Sequence, residues 1–169
     1  MLFETFYPDC EADSAYELPY EKLYELGYRG ILFDIDNTLV PHGKPATKKA
    51  IALFRRLHAI GFKTVLISNN KEPRVKPFAD AVSSRYIYRA NKPGRKGYEQ
   101  AMKIMKTTPG TTLFVGDQLF TDVWGAKKAG IFTYLTKPIH PKEEIQIILK
   151  RRLEAIVLFF YHRKFRDSK

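Results

Sequence analysis

G-I-L-F-D-I-D-N-T-L-V, Gly30 to Val40, is an apolar run that ends in two aspartates one residue apart. Ile31-Leu32-Phe33 has the length and the unbroken apolarity of a buried parallel strand, and in open α/β sheets ligands gather at the carboxyl ends of such strands. Asp34 and Asp36 would surface at that edge. Carboxylates this close repel one another unless a positive charge joins them, so the pair predicts a metal ion or a lysine. A polar turn capping the next helix would use the same residues, and this stretch alone leaves both readings open.

Working outward, the same unit recurs. Ala50, Leu53, Phe54, Leu57 and Ile60 follow at helical spacing and Gly61 stops them. Lys63 to Ile67 reads as a second strand ending in Ser68-Asn69-Asn70, with Val75, Phe78, Ala79 and Val82 on a helix behind it. Tyr86-Ile87-Tyr88 is a short third strand running towards Lys92-Pro93, and Tyr98, Ala101, Met102 and Met105 mark the next helix. Thr112 to Val115 is a fourth strand ending in Gly116-Asp117; Val123, Ala126 and Ala129 follow on a helix, and Ile131 to Leu135 is the fifth strand. Strands separated by single helices require right-handed crossovers, which predicts a doubly wound, Rossmann-like α/β fold: a mainly parallel five-stranded sheet with helices on both faces. The expected organisation is one domain over residues 1–169, with a leader at 1–28 packing on the core, a catalytic core at 30–136 and a basic amphipathic helix at 140–169.

Composition bounds the chemistry. A single cysteine, Cys10, excludes an internal disulfide and a thiolate metal cluster, which suits a reducing compartment. The N-terminus lacks the basic segment and apolar run of a signal peptide, and no stretch approaches the roughly 20 apolar residues that span a bilayer. A cytoplasmic protein, peripheral at most on the inner membrane surface, is expected. The formal charge of +11 points to an anionic partner or substrate: phosphate, nucleic acid or anionic lipid.

What lies beyond each strand is coherent: Asp34 and Asp36 after the first, Ser68 after the second, Lys92 after the third, Asp117 and Asp122 after the fourth. A carboxylate can attack phosphorus and split hydrolysis into two displacements, but it must be brought near an anion that repels it. Mg²⁺, a hard ion taking oxygen ligands, would solve that with Asp34, Asp117 and Asp122 as available ligands. Asp36 is placed to protonate the leaving oxygen and later to activate water. Ser68 would donate to a phosphoryl oxygen, and Lys92, with Lys96 and Arg95 as nearby competitors, would neutralise the gathered charge. Against each stands a structural alternative: Asn37 and Thr38 shaping a turn, Asp122 as a first-turn helix carboxylate, Lys92 as a loop residue, and His42 as an ordinary loop histidine.

D-I-D-N-T at Asp34–Thr38, S-N-N at Ser68–Asn70, K-P at Lys92–Pro93 and G-D-Q-L-F-T-D at Gly116–Asp122 resemble, in order, the four motifs of haloacid dehalogenase-like phosphatases. The resemblance implies that Asp34 is the nucleophile with its side chain on Mg²⁺. It implies that Asp36 is the acid/base and lends a backbone carbonyl to the metal, and that Asp117 is a metal ligand which Asp122 joins or supports. Thr38, Ser68 and Asn69 would bind or orient phosphate, Asn69 through its backbone, and Lys92 would bridge charge. The second aspartate favours phosphatase over dehalogenase chemistry.

The gaps between motifs admit no inserted cap, so an open site is expected, suited to a phosphate projecting from a lipid headgroup, a protein or a nucleic acid end. The tail from Lys142 to Lys169 carries Ile145, Ile148, Leu149, Leu153, Ile156 and Phe160 at helical intervals among Lys150, Arg151, Arg152, Arg163, Lys164 and Arg166. Such a helix either docks on the sheet or lies in an anionic membrane interface. With the leader E-L-P-Y-E-K-L-Y-E-L-G-Y-R-G it resembles the YqeG-type, capless subclass IIIA branch, similar to phosphatidylglycerophosphate phosphatases. That resemblance implies phosphatidylglycerophosphate as the substrate. The alternatives are a phosphatase of soluble sugar or nucleotide phosphates, and a non-enzymatic adaptor for RNA, the ribosome or a membrane. No base-reading module supports nucleic acid.

Overall fold

The structure, a computed structural model, describes residues 3–140 and 145–166. Its strands are β1 (Cys10–Ala12), β2 (Gly30–Phe33), β3 (Lys63–Ile67), β4 (Arg85–Ile87), β5 (Thr112–Gly116) and β6 (Phe132–Thr136). They form one sheet in the order β1-β6-β5-β2-β3-β4, and every neighbouring pair is parallel. The doubly wound α/β class is as expected, with one strand more. β1 comes from the leader and is three residues long, too short and too polar for a period-2 pattern to register. Its place depends on its neighbours instead: it pairs with β6, and the Asp9 carboxylate beside it accepts hydrogen bonds from Thr133 N and Oγ1, both at 2.8 Å.

The helices are α1 (Tyr20–Glu25), α2 (Lys48–Ile60), α3 (Glu72–Val82), α4 (Arg95–Met105), α5 (Trp124–Lys128) and α6 (Ile145–Arg166). Successive residues of a strand point to opposite faces, which sorts the core into two layers. Ile31, Phe33 and Leu66 pack with Phe54 and Leu57 of α2 and Phe78 of α3. Leu32, Val65 and Phe114 pack with Tyr98 and Met105 of α4 and Ala126 of α5. α2 shows why a local sequence becomes a helix here: Thr47 Oγ1 caps its start by accepting from Ala50 N at 3.1 Å, and Gly61 ends it at φ +117°. α2 alone fills the β2–β3 crossover and α3 alone the β3–β4 crossover, so neither crossover carries a cap domain and none stands over the sheet among the described residues.

α6 docks by one face. Val157 is buried with Tyr7, Leu119 and Leu135, and Leu158 and Tyr161 pack against that cluster. Its other side leaves Leu149, Leu153, Ile156 and Phe160 exposed by 42–58%. The helix is therefore apolar on two faces, where spacing in the sequence suggested one apolar face and one basic face. Lys142 and residues 167–169 of the tail lie outside the described residues.

From β2 the chain winds through β3 to β4 on one side, then returns to lay β5 and β6 on the other. The crevice at the carboxyl ends of β2 and β5 is the point where winding reverses, the place such sheets use for ligands.

Candidate active site

Asp34 follows β2 directly and is still tied to the sheet, its N–H donating to Val115 O at 3.0 Å. The chain then curls tightly: Ile35 O accepts from Leu39 N at 2.9 Å, and Asn37 takes the left-handed conformation at φ 62°. That curl turns Thr38 back on the strand end. Its Oγ1 lies 3.2 Å from Asp34 Oδ2 and 3.1 Å from Asp117 Oδ1, bridging the two strands that flank the crevice.

Asp117 and Asp122 arrive from β5. Gly116 makes room for them: a Cβ there would stand 2.6 Å from Asp122 Oδ2, so only glycine lets the backbone pass. A π-helical turn over Leu119–Val123 then brings Asp122 back, where its Oδ2 accepts from Gln118 N at 3.1 Å. Tyr98 of α4 supports the turn from below by donating to Thr121 O at 2.8 Å. Carboxylate oxygens of Asp34, Asp117 and Asp122, all buried, lie within 4.8 Å of one another.

Lys92 answers this cluster. Its Nζ is 2.8 Å from Asp34 Oδ1 and 2.6 Å from Asp122 Oδ1, in a side chain only 4% exposed. Lys96 and Arg95 stay at the surface. Asn69 fixes the lysine from behind, its Oδ1 accepting from Lys92 N at 2.6 Å and its Nδ2 donating to Lys92 O at 3.1 Å. So it is the Asn69 side chain that positions the lysine; the expected backbone role towards phosphate is separate from this contact. Ser68 is buried at the end of β3, with Oγ accepting from Asn70 N at 3.1 Å.

Burial pushes Asp34 well above the ordinary carboxylate range; Lys92 opposes this, and the Asp122 and Asp117 charges reinforce it. Asp117 is raised to about 6, again by burial and then by Asp122, against the pull of Arg151. Burial disfavours the Lys92 ammonium, yet Asp122 and Asp34 outweigh it, so the pKa of Lys92 is raised and it stays charged.

The Asp36 carboxylate stands apart from the three-carboxylate cluster. Its Oδ1 accepts from Gly43 N and Arg74 Nη2, both at 2.8 Å, and its Oδ2 from Asn70 Nδ2 at 2.8 Å. His42 is exposed on the loop above.

Two residues at this edge are not visible from motif reading. Arg74 stands in the first turn of α3, and Arg151 reaches in from α6 to bond both the carboxylate and the main-chain oxygen of Asp117. Glu154 holds Arg151 at 3.2 Å and also accepts from Phe120 N at 3.3 Å. The only sequence signals were Arg74 trailing the S-N-N motif and Arg151 lying in a basic tract. Beside Asp117, under α6, opens a cavity of about 640 Å³ with Leu135, Pro138, Ala155 and Leu158 among its walls.

Lys92 and Arg151 are the cations against the three carboxylates, and Arg151 is shared with buried Glu154, so the cluster keeps an excess of negative charge among the described residues. An all-oxygen donor set with net negative charge fits a hard divalent cation better than a soft one.

Residues 44–130 match the haloacid dehalogenase-like hydrolase family. Over 165 residues the chain is 34% identical to the Bacillus subtilis protein named Probable phosphatase YqeG, covering 97% of this chain and 96% of that one. It is 28% identical to phosphatidylglycerophosphate phosphatase 1, chloroplastic/mitochondrial, of Arabidopsis thaliana, covering 87% of this chain and 45% of that protein. Among solved structures, a hypothetical protein of Xanthomonas campestris superposes with a TM-score of 0.57 at 18% identity, over 77% of this chain and 76% of its own, a likeness of fold.

Proposed function

The chain belongs to the haloacid dehalogenase-like hydrolases and is a phosphatase, and from that premise we propose a Mg²⁺-dependent phosphomonoester hydrolase that works through an aspartyl phosphate on Asp34. The observation that carries the reading is the meeting of Asp34, Asp117 and Asp122 around Lys92 at the switch point of the sheet. Asp34, Asp117 and Asp122, with the main-chain carbonyl of Asp36, would hold the ion. When bound it neutralises charge shared by the carboxylates and the substrate phosphate.

The remaining chemistry belongs to side chains. A carboxylate oxygen of Asp34 attacks phosphorus while the bond to the leaving oxygen breaks, and Asp36 gives that oxygen its proton. Water then attacks the phosphoryl group, surrendering a proton to Asp36, and inorganic phosphate leaves with Asp34 regenerated. Lys92 on Asp34 Oδ1 steadies the nucleophile and offsets the approaching charge. Ser68, Thr38 and Asn69 line the phosphate side.

Phosphatidylglycerophosphate at a membrane surface is the substrate we favour. Three things support it: the likeness to the Arabidopsis phosphatidylglycerophosphate phosphatase, the charge of +11, and the exposed apolar stripe of α6 beside Arg152 and Arg163. None of the described helices is long and apolar enough to cross a membrane, and the contact we propose is a peripheral one through α6. We take residues 1–169 to act as one domain.

The experiment is a panel: detergent-dispersed phosphatidylglycerophosphate against soluble sugar and nucleotide phosphates, with Mg²⁺ and with EDTA, for the native protein and Asp34→Asn. Turnover is expected on the lipid, abolished by EDTA and reduced on the order of 10⁴-fold or more in the variant. Near-native activity in Asp34→Asn would remove the nucleophile; faster turnover of soluble esters would remove the lipid.

A further inference from the structure

We propose that Arg74 selects substrates whose leaving group carries a second anionic group, a phosphate or a phosphodiester, close to the ester being cut. The inference rests on the reading of Asp36 as the acid that faces the leaving oxygen. Whatever stands against Asp36 then stands against the leaving group, and Arg74 does so, with Nη2 2.8 Å from Asp36 Oδ1.

The pairing uses little of the guanidinium. Arginine offers five N–H donors in a planar fork suited to bidentate grip of a carboxylate or phosphate. Here one nitrogen, Nη2, bonds to Asp36 among the described residues, and Nε is buried without any partner. Three of about four acceptor positions on Asp36 are already taken, Oδ1 by Arg74 Nη2 and Gly43 N and Oδ2 by Asn70 Nδ2. A buried donor left unmade costs about 1–3 kcal/mol, so the arrangement gains if an incoming anion draws the fork over to itself.

The site is also built to admit such an anion. No cap covers this edge, and the Arg74 side chain is 20% exposed while Lys92 is 4% exposed. Arg74 therefore sits at the rim, where the Lys92 ammonium cannot reach. Phe78 backs the guanidinium at 5.8 Å, and the first turn of α3 anchors its backbone, Arg74 N donating to Lys71 O at 3.0 Å. Two more exposed cationic residues have their backbones beside Asn70: Lys71 at the N-cap position of α3, and Arg89, whose N donates to Asn70 O at 2.9 Å. A neutral alcohol as leaving group would find nothing here to use.

The test compares kcat/KM for propane-1,3-diol monophosphate, propane-1,3-diol bisphosphate and micellar phosphatidylglycerophosphate in the native protein, Arg74→Gln, Arg74→Lys and Asn70→Ala. The native enzyme should prefer the substrates with a second anion by about 10- to 100-fold, the worth of a hydrogen bond to a charged group. Arg74→Gln should erase that preference, mainly through KM, on top of a fall common to all three substrates from loosening Asp36, and Arg74→Lys should keep part of the preference. Asn70→Ala, which loosens Asp36 and leaves Arg74 in place, should lower all three substrates alike. Preference for the bisphosphate and the lipid together identifies any nearby anion as the ligand; preference for the lipid alone identifies its phosphodiester. An equal fall on every substrate in Arg74→Gln, or no native preference, overturns the assignment and makes Arg74 a support for Asp36. Failure of the native protein on all three would overturn the phosphatase chemistry proposed above and this assignment with it.

Discussion

Lys92→Met separates what holds the site together from what makes it react. The ammonium is shared by Asp34, 7% exposed, and Asp122, 1% exposed, whose carboxylate oxygens lie within 4.8 Å of each other. Removing one member of a buried ion pair costs about 3–5 kcal/mol, because the partner is left charged and desolvated. Here two partners are stranded, which argues for the upper part of that range. Proton uptake limits the loss, since burial already raises Asp34 and a neutral carboxyl is within reach. The expected penalty in EDTA near neutral pH is therefore about 3–5 kcal/mol, which for a chain of this size lowers Tm by about 6–20 °C. The negative excess of the site grows by one charge, so Mg²⁺ should stabilise the variant more than the native protein. Turnover should still fall by about 10²–10³-fold, because charge stabilisation at Asp34 is gone. Urea unfolding followed by Trp124 fluorescence, with and without Mg²⁺, measures the first two effects. A loss below about 1 kcal/mol, or equal responses to Mg²⁺, would refute the claim that Lys92 is the internal counterion of the cluster.

Three further changes probe other parts of the structure. Gly116→Ala puts a methyl group 2.6 Å from Asp122 Oδ2 and from Phe114 Cε1, and should cost about 1–3 kcal/mol by urea titration and lower activity as Asp122 is displaced. Arg151→Ala removes the α6 contact to Asp117; it should cost about 1–3 kcal/mol by thermal melting and speed amide exchange in α6, and unchanged exchange would show that α6 is held without this contact. His58 donates or accepts at 2.9 Å with Thr64 Oγ1, and burial lowers its pKa below the ordinary histidine value. Its neutral form is the one the fold prefers, so its contribution is present above the unfolded pKa of about 6.5 and is lost as pH falls through the lower folded value. His58→Gln should therefore lose stability less steeply than the native protein between about pH 7 and 5, and parallel urea midpoints would contradict this.

The strand ends carried most of what the sequence could tell. Apolar runs of fixed length place Asp34, Ser68, Lys92 and Asp117 after consecutive strands, and a parallel sheet must bring such positions to one edge. What the sequence hid depends on distance rather than pattern. Arg151 meets Asp117 across 34 residues and Arg74 meets Asp36 across 38, and nothing in the local residues of either helix specifies the partner. β1 was hidden because its pairing is dictated by β6 and Asp9, and the side-chain grip of Asn69 on Lys92 was hidden because a loop asparagine can bond by backbone or side chain. The tail read as amphipathic because the spacing of Leu149, Leu153, Ile156 and Phe160 is real; the inner face that docks, with Val157 at its centre, uses the positions between them.

A phosphatase without a cap must solve by charge what others solve by enclosure. Closing a site over its substrate removes water and strengthens every electrostatic contact within it. Here the buried part of that task falls to the Lys92 ammonium, fixed between Asp34 and Asp122, where solvent screens it least. The rim is furnished separately by Arg74 from α3 and Arg151 from α6, each one-fifth exposed and each tied to a carboxylate of the site. An inner lysine that serves every phosphate and an outer arginine, Arg74, that answers the rest of the molecule divide catalysis from selection, so substitutions at Arg74 should reorder substrates and substitutions at Lys92 should slow them all.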